Sequence, residues 1–163
     1  MREKTTIISA FSCLGKTYLG NKYENILDLE ASHDKWIYHD KELAKDVEKR
    51  KGVTNRILNP EYPENYIRKI IENLNKYDVI LITPEKRIRQ ILKEKKLDYI
   101  IAWPVKSNFV SKRSLERGNN TYFAEGLAKS WNTWYPEEDE KVLWVSEKEY
   151  LEDVLLKNRI ISL

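Results

Sequence analysis

The chain has a single cysteine, Cys13, among 163 residues, which excludes an internal disulfide and any cysteine-rich metal site. It lacks an apolar stretch long enough to span a membrane, and the run inside "MREKTTIISAF" is too short for a signal peptide. It also lacks a dominant charge. The 29 basic and 26 acidic side chains are interspersed and net only +3, so the concentrated basic face of a nucleic-acid binder is missing. There is no internal repeat, low-complexity tract or interdomain linker. These absences set the expectation: one domain over 1–163, in a reducing cytoplasmic compartment, with no membrane or nucleic-acid partner. They leave the oligomeric state open.

Five short apolar runs are present: "TTIISAF" (5–11), "NILDLE" (25–30), "DVILIT" (78–83), "DYIIAWP" (98–104) and "KVLWVS" (141–146). Most are continuous and rich in Ile and Val, as in strands covered on both faces. Helical patterns separate them. "PENYIRKIIENLNKY" sets Tyr66, Ile67, Ile70, Ile71 and Leu74 on one face, and "PEKRIRQILKEKK" does the same with Ile88, Ile91 and Leu92. Thr83 is a candidate N-cap with Pro84 at the first helical position, and Ser146 with Glu149 forms a capping box. Alternating strands and helices predict an α/β domain with a mainly parallel sheet. Two excursions interrupt it, at about 31–60 and 105–136. The first is highly charged, and Gly52 could end a short exposed helix there.

The segment "SAFSCLGKTYL" (9–19) follows the first strand and ends in Gly15-Lys16-Thr17. A phosphate-binding Walker A loop reads Gly-x-x-x-x-Gly-Lys-Ser/Thr between a strand and a helix. Here Ala10 replaces the first glycine. That exchange is free of strain if the residue has a negative φ and strained if it does not. Ser12, Cys13, Leu14, Gly15, Lys16, Thr17 and Tyr18 are thus the candidate contacts to a nucleotide such as ATP. Lys16 would reach the β- and γ-phosphates, and the Thr17 hydroxyl would ligand Mg²⁺. A chance Gly-Lys-Thr is the plainer alternative.

"ILDLEAS" places Asp28 and Glu30 two residues apart at the end of the second run, able to share one face. Ligands of open α/β sheets bind at the C-terminal strand ends. A carboxylate there can hold a Mg²⁺-bound water or take the proton of an attacking hydroxyl. Capping the following turn is the alternative role. Ser32, His33 and Lys35 follow.

With "IISAFSCLGKTYL", "ILDLEAS", "NPEYPENYIRKIIENLNKYDVILIT", "IRQILKEKKLDYIIAWP", "LERGNN" and "KSWNTW" in this order, the sequence resembles small P-loop nucleotide kinase-like proteins. These are of the adenylate kinase or nucleoside monophosphate kinase type and are widespread in bacteriophages. The resemblance covers about residues 5–134. It implies a P-loop NTPase fold, three-layer α/β/α, with a five-stranded mainly parallel sheet in order 2-3-1-4-5. A short helical lid would lie between the fourth and fifth strands. It also implies ATP and Mg²⁺, a small nucleotide substrate, and Lys16, Asp28, Glu30, Arg113 and Arg117 as catalytic groups. Asp28, Glu30, Ser32 and Arg89 would face the acceptor. Residues 39–58 look like an insertion on the acceptor side.

In "SKRSLERGNN", Arg113 and Arg117 stand at i, i+4 with Gly118 ending the helix, and planar guanidinium groups suit phosphate. A solvated helix face is the alternative. Trp131 and Trp134 read as core anchors, and Trp103 is better placed to meet a base. Strand 3, "DVILIT", ends without the acidic residue that switching GTPases and motor ATPases need, which again points to Asp28 or Glu30. The expected activity is ATP-dependent phosphoryl transfer to a nucleoside monophosphate or nucleoside. A non-catalytic nucleotide binder and a polynucleotide 5′-hydroxyl kinase are the alternatives.

Overall fold

In a computed structural model, which describes residues 4–45 and 55–163, five parallel strands form the central sheet. They are β1 (Thr6–Ala10), β2 (Ile26–Asp28), β5 (Val79–Ile82), β6 (Ile100–Pro104) and β7 (Val142–Val145). Their spatial order is β2-β5-β1-β6-β7, which is the expected 2-3-1-4-5 when only these five are counted. Register is fixed by pairs such as Ile7 with Ile80 and Ile8 with Leu81 on one side of β1, and Ser9 with Ile101 on the other.

Because side chains alternate across a strand, this register sorts the continuous apolar runs into two cores. Ile7, Ile80 and Ile82 face Tyr66, Ile67 and Ile70 of α3 (Glu64–Asn73) and Ile88 and Leu92 of α4 (Lys86–Glu94). Ile8, Leu81, Ile101 and Trp103 face the opposite layer. That layer holds Leu19 of α1 (Lys16–Lys22), Phe109 and Val110 of α5 (Ser107–Glu116), and Val154 and Leu155 of α7 (Leu151–Lys157). The result is the expected three-layer α/β/α arrangement. Ile71 departs from the expected apolar stripe of α3 and is exposed.

Two capping expectations are corrected. α4 begins at Lys86 rather than at Pro84, because Thr83 is already engaged: its N–H donates to the Tyr66 hydroxyl at 3.0 Å and its Oγ1 to Glu85 at 3.0 Å. Ser146 and Glu149 close a turn, and α7 starts later, with Asp153 accepting from the Tyr150 N–H at 2.8 Å.

The two excursions carry their own structure. After β2 come α2 (Ser32–Lys35), then β3 (Trp36–Tyr38) paired antiparallel with β4 (Arg56–Leu58), and a 3₁₀ helix at Lys41–Lys45. This hairpin was not foreseen in the charged segment. The helix end expected at Gly52 lies outside the described residues. After β6, α5 and α6 (Thr121–Thr133) form a helical hairpin between the fourth and fifth parallel strands, where the lid was expected. No helix among the described residues is long and apolar enough to cross a membrane.

Candidate active site

The loop from Ala10 to Lys16 joins β1 to α1 at the C-terminal edge of the sheet. Ala10 is the last residue of β1, wholly buried, and absent from the positive-φ positions, so its methyl group sits in extended backbone without strain. The loop makes its turns elsewhere, at Cys13 (φ 64°) and Gly15 (φ 102°). Gly15 needs glycine for that conformation, whereas Cys13 holds a left-handed backbone at a cost of about 1–2 kcal/mol. Leu14 turns its side chain into the core, and its carbonyl accepts from the Leu151 N–H at 2.8 Å, pinning the loop to α7.

Lys16 folds back under this loop and donates to the Ala10 carbonyl at 2.6 Å. Burial holds its pKa below the ordinary lysine value, against the pull of Asp28 and Glu30. Thr17 Oγ1 lies 3.3 Å from Asp28 Oδ2, and burial raises the Asp28 pKa although Lys16 draws it down. A desolvated cation beneath a turned loop suits a polyphosphate. Paired hydroxyl and carboxylate oxygens suit Mg²⁺. Among the described residues no group of three His, Cys, Asp or Glu side chains could hold a metal. The Thr17 and Asp28 oxygens, exposed at the loop, fit an ion that also takes phosphate oxygens.

Asp28 and Glu30 play different parts. Glu30 accepts from the Ser32 N–H at 2.9 Å and the Ser32 hydroxyl at 2.5 Å, capping its own turn while lining the neighbouring cavity. Tyr18 is exposed at the start of α1.

That cavity, of about 450 Å³, opens beside the loop at Ser12 and runs between the β3–β4 side and α6. Its floor is stitched by Tyr66, whose hydroxyl donates to the Leu29 carbonyl at 2.6 Å while accepting from Thr83. Glu85 is the buried charge on this floor. It accepts from the Tyr62 hydroxyl, from Thr83 and from Lys35 at 2.8 Å. Burial and Glu85 together push the Tyr62 pKa well above its ordinary value, so Tyr62 stays a donor. Arg56 lies over the Trp36 ring at 4.0 Å from its centroid. Sequence reasoning missed Trp36, Arg56 and Glu85. The only signals were the apolar run "WIY", the pair "IL" after Arg56, and one acid directly after Thr-Pro.

The arginines separate. Arg113 donates to the Cys13 carbonyl at 3.3 Å and to the Glu147 and Glu149 carbonyls at 3.0 and 2.6 Å, and it stacks on Tyr150 at 4.1 Å. Arg117 is exposed, with a contact to Cys13 Sγ at 3.6 Å. Arg89 corrects the acceptor-side expectation. It is 1% exposed, paired with Glu140 at 3.1 Å, and bonded to the Pro84 and Trp134 carbonyls, so it is sealed inside the protein. Trp103 is also wholly buried and cannot meet a base. Trp131 donates to the Pro104 carbonyl at 2.9 Å and packs on the core, as does Trp134, which also lines the cavity.

No family model and no curated protein matches this sequence. Among solved structures, a gluconokinase from Sinorhizobium meliloti 1021 is similar with a TM-score of 0.52. The identity is 13%, over 94% of this chain and 87% of that one. The likeness is one of fold: a three-layer α/β/α arrangement around a five-stranded parallel sheet.

Proposed function

We propose that this protein transfers the γ-phosphoryl group of ATP to a small acceptor, with nucleoside monophosphates and nucleosides as its acceptors. The observation that carries this reading is the half-buried Lys16 beneath a turned loop that borders a cavity of about 450 Å³. A volume of that size suits a small molecule rather than a polymer. The similar solved structure is a gluconokinase.

In this reading the loop from Ser12 to Tyr18 cradles the phosphates, and Lys16 neutralises the β- and γ-oxygens. Thr17 and Asp28 would hold Mg²⁺, which when bound screens the phosphate charge. Glu30, at the cavity wall, accepts a proton from or orients the attacking group. Arg117 turns its guanidinium from Cys13 to the oxygens that gain charge during transfer.

The test is label transfer from γ-labelled ATP with Mg²⁺ to a panel of nucleosides and nucleoside monophosphates, beside Lys16→Ala. Lys16-dependent product on one acceptor is the expected result. Equal turnover by K16A, or no product on any acceptor, overturns the reading.

A further inference from the structure

The ladder between β2 and β5 ends in an interruption. Its last pair sets Asp28 beside Leu81, and just beyond it the Leu29 N–H still donates to the Leu81 carbonyl at 2.9 Å. In a parallel ladder a bonded residue donates to the residue before its partner and accepts from the residue after it. Leu29 stands opposite Ile82, so the register aims the Thr83 N–H at the Leu29 carbonyl. The Tyr66 hydroxyl stands between them instead. It accepts from the Thr83 N–H at 3.0 Å and donates to the Leu29 carbonyl at 2.6 Å.

A phenol suits this place because its one oxygen both accepts and donates. Tyr66 comes from α3 and is wholly buried, and burial lifts its pKa well above the ordinary tyrosine value, so the proton stays on the hydroxyl. The inserted oxygen turns one direct bond into two in series and keeps the strand ends from closing. The end of β5 is also held from its other side, where the Thr83 carbonyl accepts from the buried Ser9 hydroxyl of β1 at 2.9 Å.

The residues that leave the two strand ends form the cavity wall. They are Glu30, Ala31 and Ser32 after β2, and Thr83, Pro84 and Glu85 after β5. The loop after β1 is separate from this crevice, because β1 pairs with β5 through Ser9 and Ile82 without interruption.

We propose that Tyr66 is a positioning residue, a hydroxyl wedge that holds β2 and β5 apart so that the acceptor can enter between Glu30 and Glu85. This rests on reading the cavity as the acceptor site. Tyr66 acts through the backbone at Leu29 and Thr83 and not by touching the acceptor. The wedge therefore governs the acceptor side and leaves the ATP side alone.

The test is Tyr66→Phe, which keeps the ring and removes the oxygen. In crystal structures of parent and variant, the Leu29 carbonyl and the Thr83 N–H should close to a direct bond of about 2.9 Å only in the variant. Calorimetric titration of the full chain uses the common nucleosides and nucleoside monophosphates as acceptor probes, and ATP as the probe of the loop. Acceptor binding should weaken about 10–100-fold in Y66F, with ATP binding unchanged. A purely structural role would lower the melting temperature and leave both affinities as they are.

A gap that stays open in Y66F, with or without a water in it, overturns the inference. So does unchanged acceptor affinity, an equal loss for ATP, a variant that does not fold, or a parent that binds none of the acceptor probes. The outcome is separable from that of phosphoryl transfer. A closed ladder with weakened acceptor binding, in a protein that transfers no label, would leave this inference standing and sink the kinase reading. Transfer with an acceptor KM indifferent to Y66F would do the reverse.

Discussion

A Cβ on Gly20 would lie 2.8 Å from the Cβ of Asp28 and 3.4 Å from its backbone nitrogen. α1 can approach β2 this closely only because residue 20 has no side chain. Thr17, three residues earlier on the same helix face, then meets the Asp28 carboxylate. A glycine inside a helix costs about 1 kcal/mol relative to alanine, so its presence here favours closeness over helix stability.

Gly20→Ala should therefore push α1 away from β2. The overpacking is expected to cost about 1–3 kcal/mol despite the better helix propensity of alanine. It should also raise the Mg²⁺ concentration needed for half-maximal turnover, because Thr17 and Asp28 would part. Chemical denaturation and a Mg²⁺ titration read the two effects. A variant as stable as the parent, with unchanged Mg²⁺ dependence, would show that the close approach has no consequence.

Asp28 makes stability depend on pH. Its folded-state pKa is raised, chiefly by burial, so the folded protein holds that proton more tightly than the unfolded chain does. Below the ordinary aspartate pKa both states are protonated and Asp28 contributes nothing. As pH rises from there to the folded-state pKa, the unfolded chain ionises first and stability falls. Above the folded-state pKa the penalty is constant. Asp28→Asn removes it. The variant should melt higher than the parent at neutral pH, lose that advantage in acid, and transfer little or no phosphate. Melting curves across pH check the sign. A D28N protein less stable at neutral pH would contradict it.

Arg89 is an interior strut. Its guanidinium pairs with Glu140 and bonds two carbonyls, holding the start of α4 to the segment after α6, and burial lowers its pKa despite Glu140. Removing one partner of a buried pair strands the other charge, at about 3–5 kcal/mol. Arg89→Ala should lose stability on that scale. Arg89→Met with Glu140→Gln in one chain should recover much of it, because neither charge remains buried. In the double variant the acceptor KM should match the parent's. A large KM rise there would return Arg89 to the substrate site.

How far the sequence reveals this molecule follows from the range of each interaction. The five parallel strands were legible because Ile- and Val-rich runs covered on both faces leave a local signature, and the Gly15-Lys16-Thr17 loop is local too. The β3–β4 hairpin was not. Each strand has three residues, too few for a two-residue period to stand out within a charged segment. Gly20 reads as an ordinary weak helix residue until β2 is seen against it. Arg89 sits between Ile88 and Leu92, at an inward position of an amphipathic helix, but its partner Glu140 is far along the chain. The cavity beside the loop was only partly legible, since Glu85, Trp36 and Arg56 converge from three separate segments.

The same distinction separates the two lid arginines, which look alike in "RSLER". Arg113 binds the carbonyls of Cys13, Glu147 and Glu149 and lies near the rings of Phe109 and Tyr150, so it joins α5, the loop after β1 and the turn before α7. Arg117 is exposed, and among the described residues its side chain bonds only the Cys13 sulfur, a weak acceptor that a phosphate oxygen would displace. Their alanine variants should differ in kind. R113A should lose stability, at about 1–3 kcal/mol for the carbonyls left unpaired, and raise the KM for ATP because the loop loses its brace. R117A should melt like the parent and lower kcat about tenfold or more, with little change in KM, as expected of a cation that acts when charge moves. Melting curves and steady-state kinetics on the two proteins decide it. Identical losses in both would mean that the arginines work as one unit and that the contacts of Arg113 are not its purpose.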